Sequence, residues 1–321
     1  MLPWPPAGAP YTACPMARHL LQLEGLDAAA LTALLDRAEA FLPIAQRTAP
    51  PSDALAGRLV ANLFYEDSTR TRLSFETAAA RLGARSLALQ GAGSSSSKGE
   101  SFLDTALNVE ALGVDAIVVR SAIAGGAHLL ARHVRCSVIN AGDGRHEHPT
   151  QGLLDCLTVR RALGSIEGRT VAIVGDIANS RVARSAMHAL TMLGATVRLV
   201  GPPTLLPRSL GSIVQHSERL SISHDLDAIL GDLDVIMMLR VQLERAAGGG
   251  IGSDYRIQYG LTRDRANRLP PHCIVMHPGP VNRGVEVDDD VADDARRSQI
   301  LGQVSNGVAI RMAVLQGCIG S

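Results

Sequence analysis

The chain is 321 residues long, enough for two domains that each bury a core of their own. Lys plus Arg and Asp plus Glu stand at 31 each, so no net basic field draws it to nucleic acid or to an anionic membrane. Aromatic residues make up only 3%, which leaves few platforms for stacked bases, and no apolar run reaches the length of a membrane span.

Residues 1–17 hold Pro3, Pro5, Pro6, Pro10, Pro15 and the single Trp, without the basic start and apolar core of a signal peptide; a loose tail is expected. From Arg18 to about Phe41, the spacing of Leu20, Leu23, Leu26, Leu31, Leu34, Leu35 and Ala38 predicts a helix, with Asp27 as a candidate cap. Strand-like segments follow at 59–65, 85–89, 115–119, 136–140, 170–175, 195–200, 234–239 and 273–277, with helical patterns between most of them. This alternation predicts an α/β fold of two doubly wound domains with mostly parallel sheets. Gly152 to Leu163 reads as the connecting helix, which divides the chain into 18–150 and 151–302, and a C-terminal helix over about 303–321 is assigned back to the first domain. Ligands of such sheets bind beyond the carboxyl ends of the strands.

The five cysteines (Cys14, Cys136, Cys156, Cys273, Cys318) are odd in number and widely spaced, with no CxxC pair. That argues against a disulfide framework or a zinc ribbon and for buried thiols in a reducing cytoplasm.

Residues 67–76, Asp-Ser-Thr-Arg-Thr-Arg-Leu-Ser-Phe-Glu, follow the first strand and open a helix. Arginine suits a helix N-terminus poorly, because the macrodipole already places partial positive charge there. Arg70 and Arg72 among the hydroxyls of Ser68, Thr69 and Thr71 make sense if an anion, most simply phosphate, sits on that turn. Arg72 can pair with Glu76 at i,i+4 and reads as structural, whereas Arg70 has no such partner in its own helix. Two familiar phosphate motifs are near misses. Gly93 to Gly99 places Lys98 before glycine, unlike a P-loop, and Val171 to Arg181 lacks GxGxxG, which argues against ATP and NAD.

Read together, Ser68 to Arg72, Ser94 to Lys98, Arg120 and His148-Pro149-Thr150-Gln151 resemble the carbamoyltransferases. Arg181, Arg240-Val241-Gln242 and His277-Pro278-Gly279-Pro280 narrow the resemblance to aspartate carbamoyltransferase catalytic chains, from about Arg18 to the C-terminus. The resemblance implies transfer of the carbamoyl group of carbamoyl phosphate to L-aspartate, in de novo pyrimidine synthesis, with 18–150 as the carbamoyl phosphate domain and 151–302 as the aspartate domain. It implies that Ser68, Thr69, Arg70, Thr71 and Arg120 hold the phosphate. Thr71, Arg120 and His148 would direct donors at the carbamoyl oxygen, and Gln151 would accept from the carbamoyl NH₂. Arg181, Arg240 and Gln242 would grip the aspartate carboxylates, with the Pro278 and Gly279 carbonyls orienting the amine. Ser94 and Lys98 would enter the neighbouring subunit's site, which implies a homotrimer with shared sites; the register within Ser94–Ser97 stays open. Regulatory or dihydroorotase-like partner chains stay open as well. Aminolysis of an activated carbamoyl group needs a phosphate clamp, oxyanion donors and cationic grips, but no cofactor and no protein nucleophile.

Other readings compete. Arg120 and Arg240 at strand ends could be ordinary salt-bridge residues. His146 and His148 could suggest metal, but no third ligand of convincing spacing follows. An ornithine carbamoyltransferase would share the phosphate half, yet its His-Cys-Leu-Pro element is missing, and an ornithine ammonium calls for an acid where Arg181 and Arg240 stand. A non-catalytic scaffold paralogue is the third possibility, which the presence of Arg70, Lys98, Arg120 and His148 disfavours. Gly279 to Gly284 departs from the Leu-Pro-Arg of some relatives, and 246–252 is a glycine-rich loop.

Overall fold

The computed structural model describes residues 18–90, 100–241 and 254–320. In chain order the first unit contains α1 (Ala28–Ala45), β1 (Leu59–Phe64), α2 (Thr69–Arg81), β2 (Arg85–Gln90), α3 (Phe102–Ala111), β3 (Ala116–Ser121), α4 (Gly126–Ala131) and β4 (Ser137–Asp143). Helix α5 (Pro149–Leu163) leads to the second unit of β5 (Thr170–Val174), α6 (Arg181–Met192), β6 (Thr196–Val200), β7 (Leu220–Ser223) and β8 (Val235–Met238). It continues through α7 (Tyr255–Tyr259), α8 (Arg263–Arg268), β9 (Ile274–Met276) and α9 (Asp289–Ala292), and α10 (Ile300–Ile319) closes the chain.

Every strand pairing is parallel, in a four-stranded sheet β2-β1-β3-β4 and a five-stranded sheet β7-β6-β5-β8-β9. The chain moves outward from β1 to β2, then crosses back to β3; in the second sheet it crosses back from β7 to β8. Each crossing leaves a crevice, between β1 and β3 and between β5 and β8, where loops diverge at the carboxyl edge.

Helix α10 packs against α1, α2 and α5, returning the C-terminus to the first unit. One apolar core runs from Leu31 and Leu35 of α1, Phe75 of α2 and Leu153 and Leu157 of α5 through Ile310 and Leu315 to Val171, Ile173 and Met187 of the second unit. Phe75, fully buried, contributes about 1.5–3 kcal/mol to this core. Separate cores cover the outer faces of the two sheets. No described helix is long and apolar enough to cross a membrane.

The helix predicted from Arg18 begins instead at Ala28. Leu20 bridges Ile139 beside β4, its N–H donating to the Val138 carbonyl at 3.0 Å, so the first leucines extend a sheet edge. Asp27 then caps α1 by accepting from Ala30 N–H at 2.8 Å, worth about 1 kcal/mol. The sequence reading also missed β7, a short edge strand with too few apolar residues to signal itself.

Candidate active site

The sheets bring the sequence-predicted residues to one place because nearly all lie at or just past the carboxyl ends of strands. Residues 66–71 follow β1, Arg120 lies near the end of β3, and 144–151 follow β4. Asp176 to Arg181 follow β5, Arg240 follows β8, and His277 to Gly279 follow β9. From these segments Asp67 to Thr71, Arg120, Gly144, His148, Gln151, Asp176, Asn179 to Arg181, Arg240 and His277 to Gly279 line a cleft of about 610 Å³ between the two units.

Ser68, Thr69, Arg70 and Thr71 form the wall under β1. Ser68 is the N-cap of α2, but its hydroxyl makes no capping bond. The first turn of α2 thus lines the cleft with three hydroxyls and Arg70, a setting chemically suited to an anion. Arg72 turns away to Glu76, 3.7 Å apart, as its i,i+4 spacing predicts. The Arg70 guanidinium lies against Gly279, where a Cβ would come within 3.1 Å of Cζ. Gly279 also has φ +67°, so that approach and that backbone both call for glycine. Burial and then Arg240 lower the pKa of Arg70.

Arg120 donates through Nη1 to the Ala141 carbonyl at 3.2 Å and lies 3.7 Å from Glu66. Burial, followed by the charge of Arg181, lowers its pKa to about 9, so it stays cationic at neutral pH. Arg181 opens α6 and crosses the cleft to Glu66, with Nη1 2.7 Å from Oε2 and 3.2 Å from the Gly144 carbonyl. Gly142, at φ +115°, makes this reach possible, since a Cβ there would meet Arg181 Nε at 2.9 Å. Cations from both units thus surround one space. Like charges held together in a partly dry cleft are costly unless an anion arrives.

His148 is buried at the start of α5, its backbone N–H donating to Ser185 Oγ at 2.9 Å. Ser185 Oγ donates in turn to Glu147 at 2.7 Å, so α6 fixes the histidine's backbone. Burial, then the charges of Arg120, Arg311 and Arg181, hold its pKa well below the usual value. The imidazole is neutral at pH 7, and Nδ1 has no hydrogen-bond partner among the described residues. Gln151 donates from Nε2 to Asp155 Oδ1 at 2.9 Å, which leaves its carbonyl oxygen as the acceptor for a ligand. Past β9, His277 Nδ1 accepts from Gly279 N–H at 2.8 Å, so Nε2 carries the proton it shares with Glu286 at 3.2 Å. This tautomer braces the loop that presents Pro278 and Gly279.

Ser94, Lys98 and Gln242 lie outside the described residues, as do the loop 246–252 and the 1–17 tail. Two contributors escaped the sequence reading. Glu66, directly before the anion motif, passes for a surface acid until its bond to Arg181 is seen. Arg311 of α10 is fully enclosed, donating to Ser74 Oγ at 3.1 Å over the Phe75 ring. Its signal was readable, because it is the sole charge in an otherwise uncharged helix.

His146 and His148 share no ligand space. His146 joins Asp143 and His128, whose donor atoms come within 4.8 Å of one another. Asp143 already accepts from Gly125, Asn140 and Glu147, so it acts as a clasp for the β4–α5 loop. Cys136, Cys156, Cys273 and Cys318 are buried, and burial pushes each thiol up, that of Cys136 to about 12, which leaves them unreactive.

Residues 18–161 match the family model for the aspartate/ornithine carbamoyltransferase carbamoyl-P binding domain, and 167–318 match that for the Asp/Orn binding domain. The chain is 54% identical over 303 residues to the aspartate carbamoyltransferase catalytic subunit of Myxococcus xanthus, covering 94% of this chain and 99% of that protein. It is 51% identical over 306 residues to the corresponding subunit of Rhodospirillum rubrum, covering 95% and 94%. Among solved structures, aspartate transcarbamoylase from Trypanosoma cruzi in complex with N-(phosphonacetyl)-L-aspartic acid superposes with a TM-score of 0.85 at 30% identity, over 94% of this chain and 95% of that one. Ornithine carbamoyltransferase from Pyrococcus furiosus gives the same TM-score at 31% identity, over 97% and 99%. The backbone alone therefore does not separate the two amine substrates.

Proposed function

The chain belongs to the aspartate/ornithine carbamoyltransferase family, and we propose that within it the protein transfers the carbamoyl group of carbamoyl phosphate to L-aspartate. The products are N-carbamoyl-L-aspartate and phosphate, a step of de novo pyrimidine (UMP) synthesis in the cytoplasm. One observation carries the reading: Ser68, Thr69, Arg70 and Thr71 of the first unit and Arg181 and Arg240 of the second line one cleft. Two anionic substrates fit that charge pattern, whereas the ammonium of ornithine would meet Arg181 and Arg240, with the nearby Glu66 already engaged by Arg181.

In this reading the first unit, with α10, binds carbamoyl phosphate, and the unit that follows α5 binds aspartate. Ser68, Thr69, Arg70, Thr71 and Arg120 hold the phosphate. The aspartate amine, oriented by the Pro278 and Gly279 carbonyls, attacks the carbamoyl carbon. Negative charge develops on the carbamoyl oxygen, where Thr71, Arg120 and neutral His148 direct donors; loss of one such donor costs about 10²–10³ in rate. Gln151 accepts from the carbamoyl NH₂ and fixes the plane of attack. The bond from carbon to the phosphate oxygen then breaks, and the amine proton passes to the departing phosphate, so no dedicated protein base is required. Arg181, Arg240 and Gln242 bind the aspartate carboxylates, for which planar guanidinium forks are suited.

Ser94 and Lys98 complete the neighbouring subunit's site, making the working unit a homotrimer. The test is a ureido-product assay on the purified chain with aspartate and, separately, ornithine, beside a native mass measurement. Product with aspartate alone, from a particle of three chains, is the expected result. Product with ornithine instead would overturn the assignment.

A further inference from the structure

Behind the cleft wall lies a carboxylate that the proposed chemistry does not use. Asp155, on α5 one turn beyond Gln151, is fully buried. A single oxygen, Oδ1, accepts from Gln151 Nε2 at 2.9 Å and from Gln303 Nε2 at 2.8 Å. With its NH₂ engaged there, Gln303 turns its carbonyl oxygen to the backbone N–H of His277, 2.9 Å away. His277 in turn holds Gly279 N–H. One buried acid therefore sits between the amide of Gln151 and the loop that carries Pro278 and Gly279.

We infer that Asp155 is a positioning residue that fixes the amide orientations of Gln151 and Gln303, so that Gln151 presents its carbonyl oxygen, and not its NH₂, to the carbamoyl amino group. This rests on the carbamoyl-transfer reading above and adds to it the source of selectivity for a carbamoyl over an acyl group. An amide side chain is nearly symmetric in shape, and its two orientations differ only in where the donors point. In the reverse orientation Gln151 would aim an NH₂ at the carbamoyl NH₂, donor against donor. Burial pushes the pKa of Asp155 up to about 7, but a proton would sit on the unpartnered Oδ2, so Oδ1 accepts in either state and selects one orientation for both glutamines at once. The arrangement also links α5, α10 and the β9 loop, so the carbamoyl and amine subsites are set by the same group.

Acetyl phosphate separates positioning from mere structural support, because it replaces the carbamoyl NH₂ with CH₃ and has nothing for Gln151 to accept. The experiment compares kcat/KM for carbamoyl phosphate with the inhibition constant of acetyl phosphate in wild type, Asp155→Asn and Asp155→Leu, each checked by circular dichroism. Asp155→Asn keeps an oxygen at the accepting position and retains the preference. Asp155→Leu lowers the preference for carbamoyl phosphate by roughly 10- to 100-fold, the worth of one well-placed hydrogen bond in a dry site. If the leucine variant does not fold, Asp155→Ala, which adds no bulk, gives the same reading. A folded Leu or Ala variant that loses equally on both phosphates overturns the assignment of Asp155 while leaving the carbamoyl-transfer reading intact. A wild-type chain that makes no ureido product with aspartate overturns that reading and this inference with it.

Discussion

Glu66 Oε2 accepts a 2.7 Å hydrogen bond from Arg181 Nη1, tying the loop after β1 to the first turn of α6 across the cleft. Glu66 also lies 3.7 Å from Arg120, so one carboxylate offsets the repulsion between two cations that belong to different units. The Gly144 carbonyl accepts from the same Nη1, and in the proposed reading Nη2 of Arg181 meets the substrate carboxylate. Glu66→Gln keeps the shape and removes the charge. Breaking a fully buried pair costs about 3–5 kcal/mol, but Glu66 is 23% exposed, so a loss of about 1–2 kcal/mol is expected. The aspartate KM should rise roughly 5- to 30-fold, with the carbamoyl phosphate KM little changed. Initial-rate kinetics over both substrates check this, and an unchanged aspartate KM would sink the aligning role of Glu66.

Arg70 and Arg240 separate the two halves of the site. Arg70 stands on the α2 wall of the cleft against Gly279, where the proposed reading puts the leaving phosphate; Arg240 follows β8 in the second unit. Arg70→Ala should lower kcat by about 10³ or more, because its charge is needed most as phosphate departs. Arg240→Ala should mainly raise the aspartate requirement, since a substrate carboxylate is bound alike before and during the reaction. Saturation curves for both variants test the division. Near-normal aspartate saturation in Arg240→Ala would remove that residue from the aspartate subsite.

What could be read without coordinates was whatever conflicts with its local setting. Arginines in a helix's first turn stand out against its dipole, and the parallel alternation of strands puts Arg120, His148, Arg181 and Arg240 at the carboxyl edges of the two sheets. The supporting groups were not legible, because nothing local marks them. Asp155 and Gln303 look like solvated helix positions, and only the packing of α10 against α5 buries them together. Glu66 has the look of a loop acid until the two units are set side by side. The leucines at 20, 21 and 23 carry helical spacing, yet Leu20 extends the β4 edge, a case where a tertiary pairing outweighs periodicity.

A site shared between subunits can be tested by complementation. If Lys98 of one subunit serves the His148 of another, a trimer mixed from inactive Lys98→Ala and His148→Ala chains regains some sites with both residues intact. With random exchange, recovered activity should be on the order of a tenth to a third of wild type per chain, since cross-subunit sites assemble from either parent. Subunit exchange is followed by mass shift of a tagged parent. Exchange without recovered activity would argue that each site draws on one chain only.

His148 gives the fold a pH signature of its own. Unfolded, its imidazole titrates near 6.5; in the fold, burial and the surrounding Arg120, Arg311 and Arg181 hold the pKa well below that. Below pH 6.5 the unfolded chain takes up a proton that the native state refuses, so this stability is present above 6.5 and is lost as the pH falls. Between pH 6.5 and 5.5 the loss from this one group should be about 1 kcal/mol. His128 and His188, whose pKa values burial also lowers, add to the wild-type slope. The difference between wild type and His148→Gln isolates the single residue. Urea unfolding at pH 7.5, 6.5 and 5.5 should therefore show the two proteins converging, or crossing, as acid is added. Phosphate at millimolar concentration should flatten the wild-type slope, because a bound anion beside His148 raises its pKa. Parallel stability curves for the two proteins, with no convergence, would mean that His148 is not held neutral by burial and the cations around it.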